Sequence, residues 1–206
     1  MFARIESDAQ LVARTRQGEV EAFNFLVSRW ETRLYNYLLR LVGNRPGYRE
    51  DALDLAQEAF LKAYQNIGTL ADAEKFPSWL YRIAHNLAFS HLRRPALVES
   101  VEDHPRQDGS DDWPGDWKDV SMRAAAQPAF GREMEIAVAR ALESLAPEQR
   151  EAILLKVYHG FRFDEIAEII SCPVSTVKTR VYAGFAQLRQ MLESVPAPPN
   201  RIAHRR

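Results

Sequence analysis

Cysteine is nearly absent from this chain, which has 206 residues and a single cysteine, Cys172. One thiol excludes an internal disulfide, and this usage is typical of proteins in a reducing cytoplasm. Long apolar runs are missing too, since none approaches the roughly 20 residues that span a bilayer. The first residues, MFARIESDAQ, lack the apolar segment of a secretory signal. We therefore expect a cytoplasmic protein with no membrane insertion.

Known catalytic and metal-binding motifs are also missing. The histidines form no H-E-x-x-H motif and do not pair with the cysteine at metal-ligand spacing. The chain has no P-loop and no G-x-S-x-G motif. These absences predict no metal, no cofactor and no enzymatic activity. His159 is interpreted as a cation at a helix end, and Cys172 as a small turn residue, with redox sensing as the alternative.

Strand-like alternation is absent, and the apolar residues follow helical spacing in two separate stretches. The predicted fold is therefore all-α, with one helical domain over residues 1–94 and a second over residues 131–195. Residues 95–130 are rich in Asp, Pro, Gly and Ser and carry three basic and eight acidic side chains. This composition predicts a flexible acidic linker, whose two tryptophans either pack on a neighbouring surface or remain exposed. Residues 196–206 are predicted to be a disordered basic tail.

The apolar spacing predicts four helices in the first domain and four in the second. Ser7 and Gln10 form a capping-box pattern that begins the first helix. The predicted helices cover residues 7–18, 19–42, 49–67 and 77–94, then 131–145 and 147–160, followed by a final pair. On the third helix, the apolar positions are Leu53, Ala56, Phe60 and Tyr64.

The final pair lies within residues 161–189, FRFDEIAEIISCPVSTVKTRVYAGFAQLR. The first helix has an apolar stripe at i, i+3, i+4 and i+7, formed by Phe163, Ile166, Ala167 and Ile170. The second has a stripe formed by Val174, Val177, Val181, Phe185 and Leu188. Between them, Pro173 suits a first helical position because it lacks an N–H. Two helices joined by a short turn are typical of a helix-turn-helix, whose second helix lies in the DNA major groove.

The predicted solvent face of the second helix is polar and basic. Its side chains are Ser175, Thr176, Lys178, Thr179, Arg180 and Tyr182, and no acidic residue occurs between residues 173 and 189. The acidic residues lie on the preceding helix, so positive charge is confined to the surface that would meet phosphate. Spacing alone fits an ordinary helical hairpin with a solvated polar face equally well.

The segment EIAEIISCPVSTVKTRVYAGFAQLR resembles the −35-binding helix-turn-helix of extracytoplasmic-function (ECF) sigma factors in the sigma-70 family. The usual family pattern is EIA, a turn, and then TVKSR. The resemblance implies a bacterial transcription initiation factor that binds core RNA polymerase, recognises −35 and −10 elements and promotes DNA melting. It implies base contacts from Ser175, Lys178, Thr179 and Tyr182, and phosphate contacts from Thr176 and Arg180.

The third helix carries a second resemblance. ALDLAQEAFLKAY is similar to the D-x-x-Q-E-x-F segment that docks on the β′ clamp of RNA polymerase. The similarity implies polymerase contacts from Asp54, Gln57 and Glu58, with Arg40 joining the same interface. Spacing alone favours a simpler interpretation, in which these polar residues form a solvated helix face.

The fourth helix, FPSWLYRIAHNLAFSHLRR, resembles the family segment that binds and opens the −10 element. Holding melted DNA requires a pocket for an unstacked base and cations along the phosphates. The resemblance implies such roles for Lys75, Arg82, Asn86, Arg93 and Arg94. The rings of Phe76, Trp79 and Tyr81 offer stacking surfaces, although core packing is the simpler role, above all for Trp79.

Several positions depart from the family pattern. Ser171 stands where glycine is usual, at a position that can require a positive φ. Arg162 replaces the usual Ser or Thr helix cap, whose loss costs about 1 kcal/mol. Residues 183–185 replace an often Arg-rich stretch, so phosphate contacts are expected to be fewer there.

Three partners follow from the resemblance: core RNA polymerase through the β′ clamp and β flap, promoter DNA, and an anti-sigma factor. The acidic linker would enter the RNA channel of the polymerase. The alternatives are a helix-turn-helix regulator that acts without polymerase, with residues 1–94 as a sensor or dimerisation domain, and a decoy that sequesters an anti-sigma factor. An enzyme ranks last, since no site for one is found.

Overall fold

A computed structural model describes residues 6–43, 47–93 and 132–193. All regular elements in these ranges are helical, which confirms the predicted all-α class. The helices are α1 (Asp8–Arg16), α2 (Val20–Val42), α3 (Tyr48–Asn66), α4 (Phe76–Arg93), α5 (Arg132–Glu143), α6 (Pro147–Ile153), α7 (Phe163–Ile169) and α8 (Val174–Glu193). None of the helices in these ranges is both long and apolar enough to cross a membrane. The predicted linker with Trp113 and Trp117, the basic tail and Arg94 lie outside the described residues.

The N-terminal domain packs α1 to α4 through apolar stripes. Ser7 begins α1 with the predicted capping box: its hydroxyl accepts from the Gln10 N–H at 3.3 Å, and Gln10 Oε1 accepts from the Ser7 N–H at 2.9 Å. These bonds satisfy two N–H groups that have no partner within the helix. On α2, Leu26, Leu34 and Tyr37 are fully buried, and their helical spacing places them on one face of the helix.

The predicted apolar face of α3 is partly wrong. Leu53 is 50% exposed and Tyr64 is 40% exposed. The buried positions of this helix are Ala52, Leu55, Ala56, Ala59, Phe60 and Ala63. Four of these six residues are alanines, whose small side chains allow α2 and α4 to pack closely on both sides. The predicted stripe is displaced from the buried face because alanine, which gives a weak apolar signal, supplies most of that face.

The C-terminal domain contains α5 to α8, with α6 continuing into a π-helical stretch at Leu154–Tyr158. There the His159 N–H donates to the Leu154 carbonyl at 3.2 Å, an i to i−5 bond. Gly160, with φ of 73°, then ends the helix. This wide turn lengthens α6 beyond its seven α-helical residues and leads into the helix-turn-helix.

The apolar stripe of α8 is also rotated from its prediction. Val177, Val181 and Leu188 are buried, whereas Val174 is 38% and Phe185 is 44% exposed. Gly184 completes the buried stripe, because a Cβ there would lie only 2.6 Å from Cδ1 of Ile153 on α6. The absence of a side chain at Gly184 thus allows α6 and α8 to cross closely.

The two domains pack directly on each other. Helix α4 contacts α7, and α2 contacts α6. The ring of Tyr81 lies 5.1 Å from that of Phe161, and buried residues of both domains form one continuous apolar cluster. The helix-turn-helix therefore lies against the N-terminal domain, and we call this arrangement the closed form.

Candidate nucleic-acid interface

Helix α8 presents its predicted base-reading residues on one side. Tyr182 is 63% exposed, and Ser175, Lys178 and Thr179 are exposed with it. At 100° per residue these four lie within about 100° of the helix circumference. Thr176 and Arg180 are half-buried at the edge of this surface, where phosphate contacts would flank the bases.

The Thr179 hydroxyl is already engaged within α8. It donates to the carbonyl oxygen of Ser175 at 3.0 Å. The hydroxyl proton is therefore used by the helix, and the oxygen faces outward as an acceptor. An acceptor can pair with the amino group of cytosine or adenine in the major groove.

Phe163, at the first position of α7, lies beneath this reading surface. The Lys178 ammonium is 5.8 Å from its ring centroid, and the Tyr182 ring is 6.5 Å away. Lys156 also lies over the ring, at 4.8 Å. Phe163 was predicted only as a core residue, whereas its half-buried ring also supports two of the candidate reading residues.

The turn and the cap of the helix-turn-helix show the effect of two family departures. Ser171 has φ of 53°, and it is the one non-glycine residue in the described ranges with positive φ. Arg162 begins α7 without a side-chain cap, although its N–H donates to Glu165 Oε2 at 2.7 Å. The helix therefore keeps one of the two hydrogen bonds of a capping box.

Helix α4 presents the predicted −10 residues along one exposed line. Arg82, Asn86 and Arg93 are all exposed and lie within about 40° of one another at 100° per residue. Phe76 and Tyr81 are fully buried, which makes them core residues. The structure thus brings two cations and one amide to a continuous surface, with the aromatic rings beneath it.

Lys75, the remaining described −10 candidate, contacts the second domain instead. Its ammonium lies 3.0 Å from Oε1 of Glu168 on α7. This hydrogen bond raises the pKa of Lys75 above its usual value. In the closed form a predicted DNA-binding cation is therefore paired with a carboxylate of the helix-turn-helix domain.

The predicted polymerase-binding residues on α3 form an exposed face. Asp54, Gln57 and Glu58 are exposed, and Glu58 pairs with Lys62 at 3.2 Å. Leu53 and Leu61 border them, 50% and 57% exposed. Exposed leucines bordered by polar residues are typical of a protein-binding surface.

Arg40 lies at the interface between the domains. Its guanidinium carbon is 4.9 Å from the centroid of the Tyr158 ring. It also lines an apolar cavity between α2 and α5 that includes Tyr48 and Leu142. In the closed form Arg40 therefore packs on the C-terminal domain.

His159 is not the helix-end cation that the sequence predicts. Burial, with the nearby charges of Arg40 and Arg33, lowers its pKa to about 3. Its imidazole is therefore neutral at pH 7, and Nδ1 lies 2.8 Å from the Tyr81 hydroxyl. The prediction failed because it placed His159 in solvent, whereas the closed form covers it with α2 and α4.

A buried polar cluster at this interface was missed in the sequence. Glu151 on α6 is 0% exposed. Its Oε1 accepts from the Tyr37 hydroxyl at 2.5 Å and lies 2.7 Å from His85 Nδ1. The signal in the sequence is that Glu151 directly precedes the apolar run Ala152–Leu155. This position places Glu151 on the buried side of the helix.

Known proteins resemble the chain in both halves. The family models for sigma-70 region 2 and sigma-70 region 4 match residues 26–96 and 135–196. The chain is 31% identical over 188 residues to the RNA polymerase sigma-H factor of Pseudomonas aeruginosa, covering 91% of this chain and 95% of that protein. It is 33% identical over 193 residues to the ECF RNA polymerase sigma-E factor of Haemophilus influenzae, covering 93% and 96%.

Solved structures share the fold. CnrH in complex with the cytosolic domain of CnrY matches with a TM-score of 0.62 and 21% identity, covering 93% of this chain and 100% of that one. The sigma factor RpoE in complex with the anti-sigma factor NepR, from Bartonella quintana, matches with a TM-score of 0.59 and 24% identity, covering 84% and 98%. From the relatives above 30% identity and the two matched regions, the chain belongs to the ECF group of the sigma-70 family, whose members are transcription initiation factors and not enzymes.

Proposed function

We propose that this protein binds core RNA polymerase, recognises a −35 element with α8 and a −10 element with α4, and promotes melting of the −10 region in the cytoplasm. The observation that supports this most is the pair of exposed polar faces, one in each sigma region. Each carries cations without a neighbouring acid on the same line of the helix. Such faces can meet the phosphates of one promoter at two separate sites.

In the C-terminal domain, Ser175, Lys178, Thr179 and Tyr182 would read base edges, and Thr176 and Arg180 would fix the register on phosphates. Lys178 is the natural partner of guanine, since its ammonium can donate to N7 and O6. Thr179 offers an acceptor to an amino group. The helix therefore combines donor and acceptor readout on one surface.

In the N-terminal domain, Arg82, Arg93 and Lys75 would contact phosphates of the opened strand, and the family resemblance implies the same role for Arg94. Asn86 lies between the two arginines and offers both a donor and an acceptor to an exposed base edge. A single-stranded site needs this combination of charge and base contact. The protein would promote melting because these α4 residues bind the opened strand and not the duplex.

The polymerase contact would be made by the α3 face that contains Asp54, Gln57 and Glu58, with Arg40 joining it once the domains separate. Charge reversal at Asp54 tests this directly. Asp54→Lys should weaken binding to purified core polymerase by about tenfold or more, because facing like charges cost several kcal/mol. The matched control is Glu31→Lys, an exposed acid on α2 outside the proposed face. Equal binding by the two variants would remove α3 from the interface.

An anti-sigma factor is the second protein partner that we propose. The support is that the solved relative RpoE is in complex with the anti-sigma factor NepR. Expression of candidate anti-sigma proteins with this chain should yield a complex that excludes core polymerase. A candidate that binds while polymerase remains bound would not be acting as an anti-sigma factor.

A further inference from the structure

Helix α6 buries two adjacent charged residues at the contact between the domains. Arg150 is 8% exposed and Glu151 is 0% exposed. A buried charge is costly unless its partners are present. The domain that supplies those partners therefore shows which contact stabilises the buried charge.

The partners of Glu151 lie on the other domain. The Tyr37 hydroxyl on α2 donates to Oε1 at 2.5 Å, and His85 Nδ1 on α4 lies 2.7 Å from the same oxygen. Oε2 has no partner among the described residues. If the domains separated, the carboxylate would regain water and lose no hydrogen bond within its own domain. This polar contact lies within the apolar cluster that the two domains share, and its hydrogen bonds can be exchanged for bonds to water when the domains separate.

Arg150 joins the ends of two helices from different domains. Its Nη1 lies 3.4 Å from the carbonyl oxygens of Arg40 and Leu41, at the end of α2. Within its own domain, its Nε donates to the Leu142 carbonyl on α5 at 3.1 Å and its Nη2 donates to the carbonyls of Glu143 and Leu145. Terminal carbonyls of a helix lack partners within it and carry partial negative charge, so one guanidinium stabilises both ends. Gly43 makes room for this side chain, since a Cβ there would lie 2.9 Å from Nη1.

The closed form is incompatible with binding both promoter elements. Elements at −35 and −10 are about 25 base pairs apart, which is about 85 Å of duplex at 3.4 Å per base pair. Here the helix-turn-helix is held against the N-terminal domain, with Glu168 only 3.0 Å from Lys75. The same contact pairs the exposed Lys75 with a carboxylate and packs Arg40 on the Tyr158 ring, and both are candidate binding residues.

We propose that Arg150 and Glu151 form a reversible latch that holds the two domains in the closed form and must release before the promoter is bound. The need for release rests on the proposed function. The latch itself does not, because it is a contact between two domains of one chain. Tyr37, whose hydroxyl donates, and His85 are the partners of Glu151 on the N-terminal domain, and both lie across the interface from it.

Thiol protection in the full chain tests the latch without DNA or polymerase. The parent carries Phe161→Cys and Cys172→Ser, because Phe161 is 8% exposed and covered by Tyr81 of the other domain. A bulky maleimide then reacts only when the domains open, so the labelling rate reports the open fraction. Glu151→Ala and Tyr37→Phe should each raise this rate about tenfold, which corresponds to about 1.4 kcal/mol. The double variant should be no faster than the faster single variant, since both changes remove the same hydrogen bond.

The matched control is Glu148→Ala, which removes an exposed acid from the same helix and should label at the parent rate. If Glu151→Ala loses helical circular dichroism, Tyr37→Phe decides the outcome, because it removes one hydroxyl and keeps the packing of a fully buried ring. Labelling of both single variants at the parent rate would overturn the latch. Additive effects in the double variant would also overturn it, because Tyr37 and Glu151 would then act separately.

Discussion

Ser171 holds the turn between α7 and α8 in a left-handed backbone conformation, with φ of 53°. Such a conformation costs a residue with a Cβ roughly 1–2 kcal/mol, and glycine adopts it without that cost. Glycine also gains entropy in the unfolded chain, which offsets part of the benefit. The strain at Ser171 is therefore a local property of the turn that joins the two helices of the helix-turn-helix.

Ser171→Gly should raise the free energy of unfolding by about 0.5–1 kcal/mol, the difference between these two effects. Urea denaturation followed by circular dichroism measures the change. Ser90→Gly, at an exposed position within α4, is the control and should destabilise the chain, since glycine is unfavourable inside a helix. Destabilisation by both substitutions would show that Ser171 is not strained.

His159 makes stability depend on pH. Its pKa is about 3 in the folded protein and near 6.5 in an unfolded chain. Between these values the unfolded chain binds a proton that the folded chain does not. Stability from the neutral imidazole is therefore fully present above pH 6.5 and is lost as the pH falls towards 3.

Comparison of the native chain with His159→Gln isolates this contribution, because glutamine keeps a polar group near Tyr81 but does not titrate. From pH 7 to pH 5 the native chain should lose up to about 2 kcal/mol more than the variant. Urea midpoints at the two pH values provide the measurement. Parallel pH dependence of the two proteins would contradict a buried neutral His159.

At the scale of helices, the crossing of α6 and α8 positions the recognition helix. Gly184→Ala would place a methyl group 2.6 Å from Cδ1 of Ile153. We expect a loss of about 1–3 kcal/mol in stability, as is usual when a close-packed contact is overfilled. Ile153→Val removes that atom, so the double variant should recover much of the loss. Equal stability of the single and double variants in urea would place the strain elsewhere.

Lys178 tests the reading surface of α8. Lys178→Ala should weaken −35-dependent initiation by about 1–3 kcal/mol, the value of a good base contact. Arg189→Ala is the control, since it removes the same charge from the same helix about 16 Å further along at 1.5 Å per residue. Transcription from promoters with single −35 substitutions would measure both. If Lys178→Ala leaves the promoter profile unchanged, Lys178 does not read DNA.

Most helices follow from local patterns in the sequence. The Ser7 capping box, the stripe of α2 and the helix-turn-helix spacing each depend on residues close together in the chain. The errors at Leu53, Tyr64, Val174 and Phe185 have a common cause: alanine and glycine form part of the buried faces of α3 and α8, and small residues give a weak periodic signal. Candidate binding residues were found mainly through the family resemblance, because exposure alone does not specify a ligand.

At the scale of the whole molecule, local spacing cannot predict the contact between the domains. Tyr37 and Glu151 are 114 residues apart, and their hydrogen bond depends on how α2 and α6 meet. The same contact partly buries His159 and removes its predicted positive charge. Interactions across the interface thus change the chemistry of residues whose own helices were predicted correctly.

The near-neutral net charge of −1 also belongs to this scale. The closed form keeps Lys75 paired and holds α8 beside the N-terminal domain. A chain with little net charge gains little non-specific attraction to DNA. We therefore expect promoter binding to depend on core polymerase, which would separate the domains and provide a second set of contacts.

Run-off transcription with purified core RNA polymerase on a promoter library tests the central claim most directly. We predict a complex of this chain with the polymerase and transcripts that start downstream of shared −35 and −10 sequences, with neither component active alone. Failure to bind the polymerase and to direct any transcript, by a chain with native helical circular dichroism, would contradict the account.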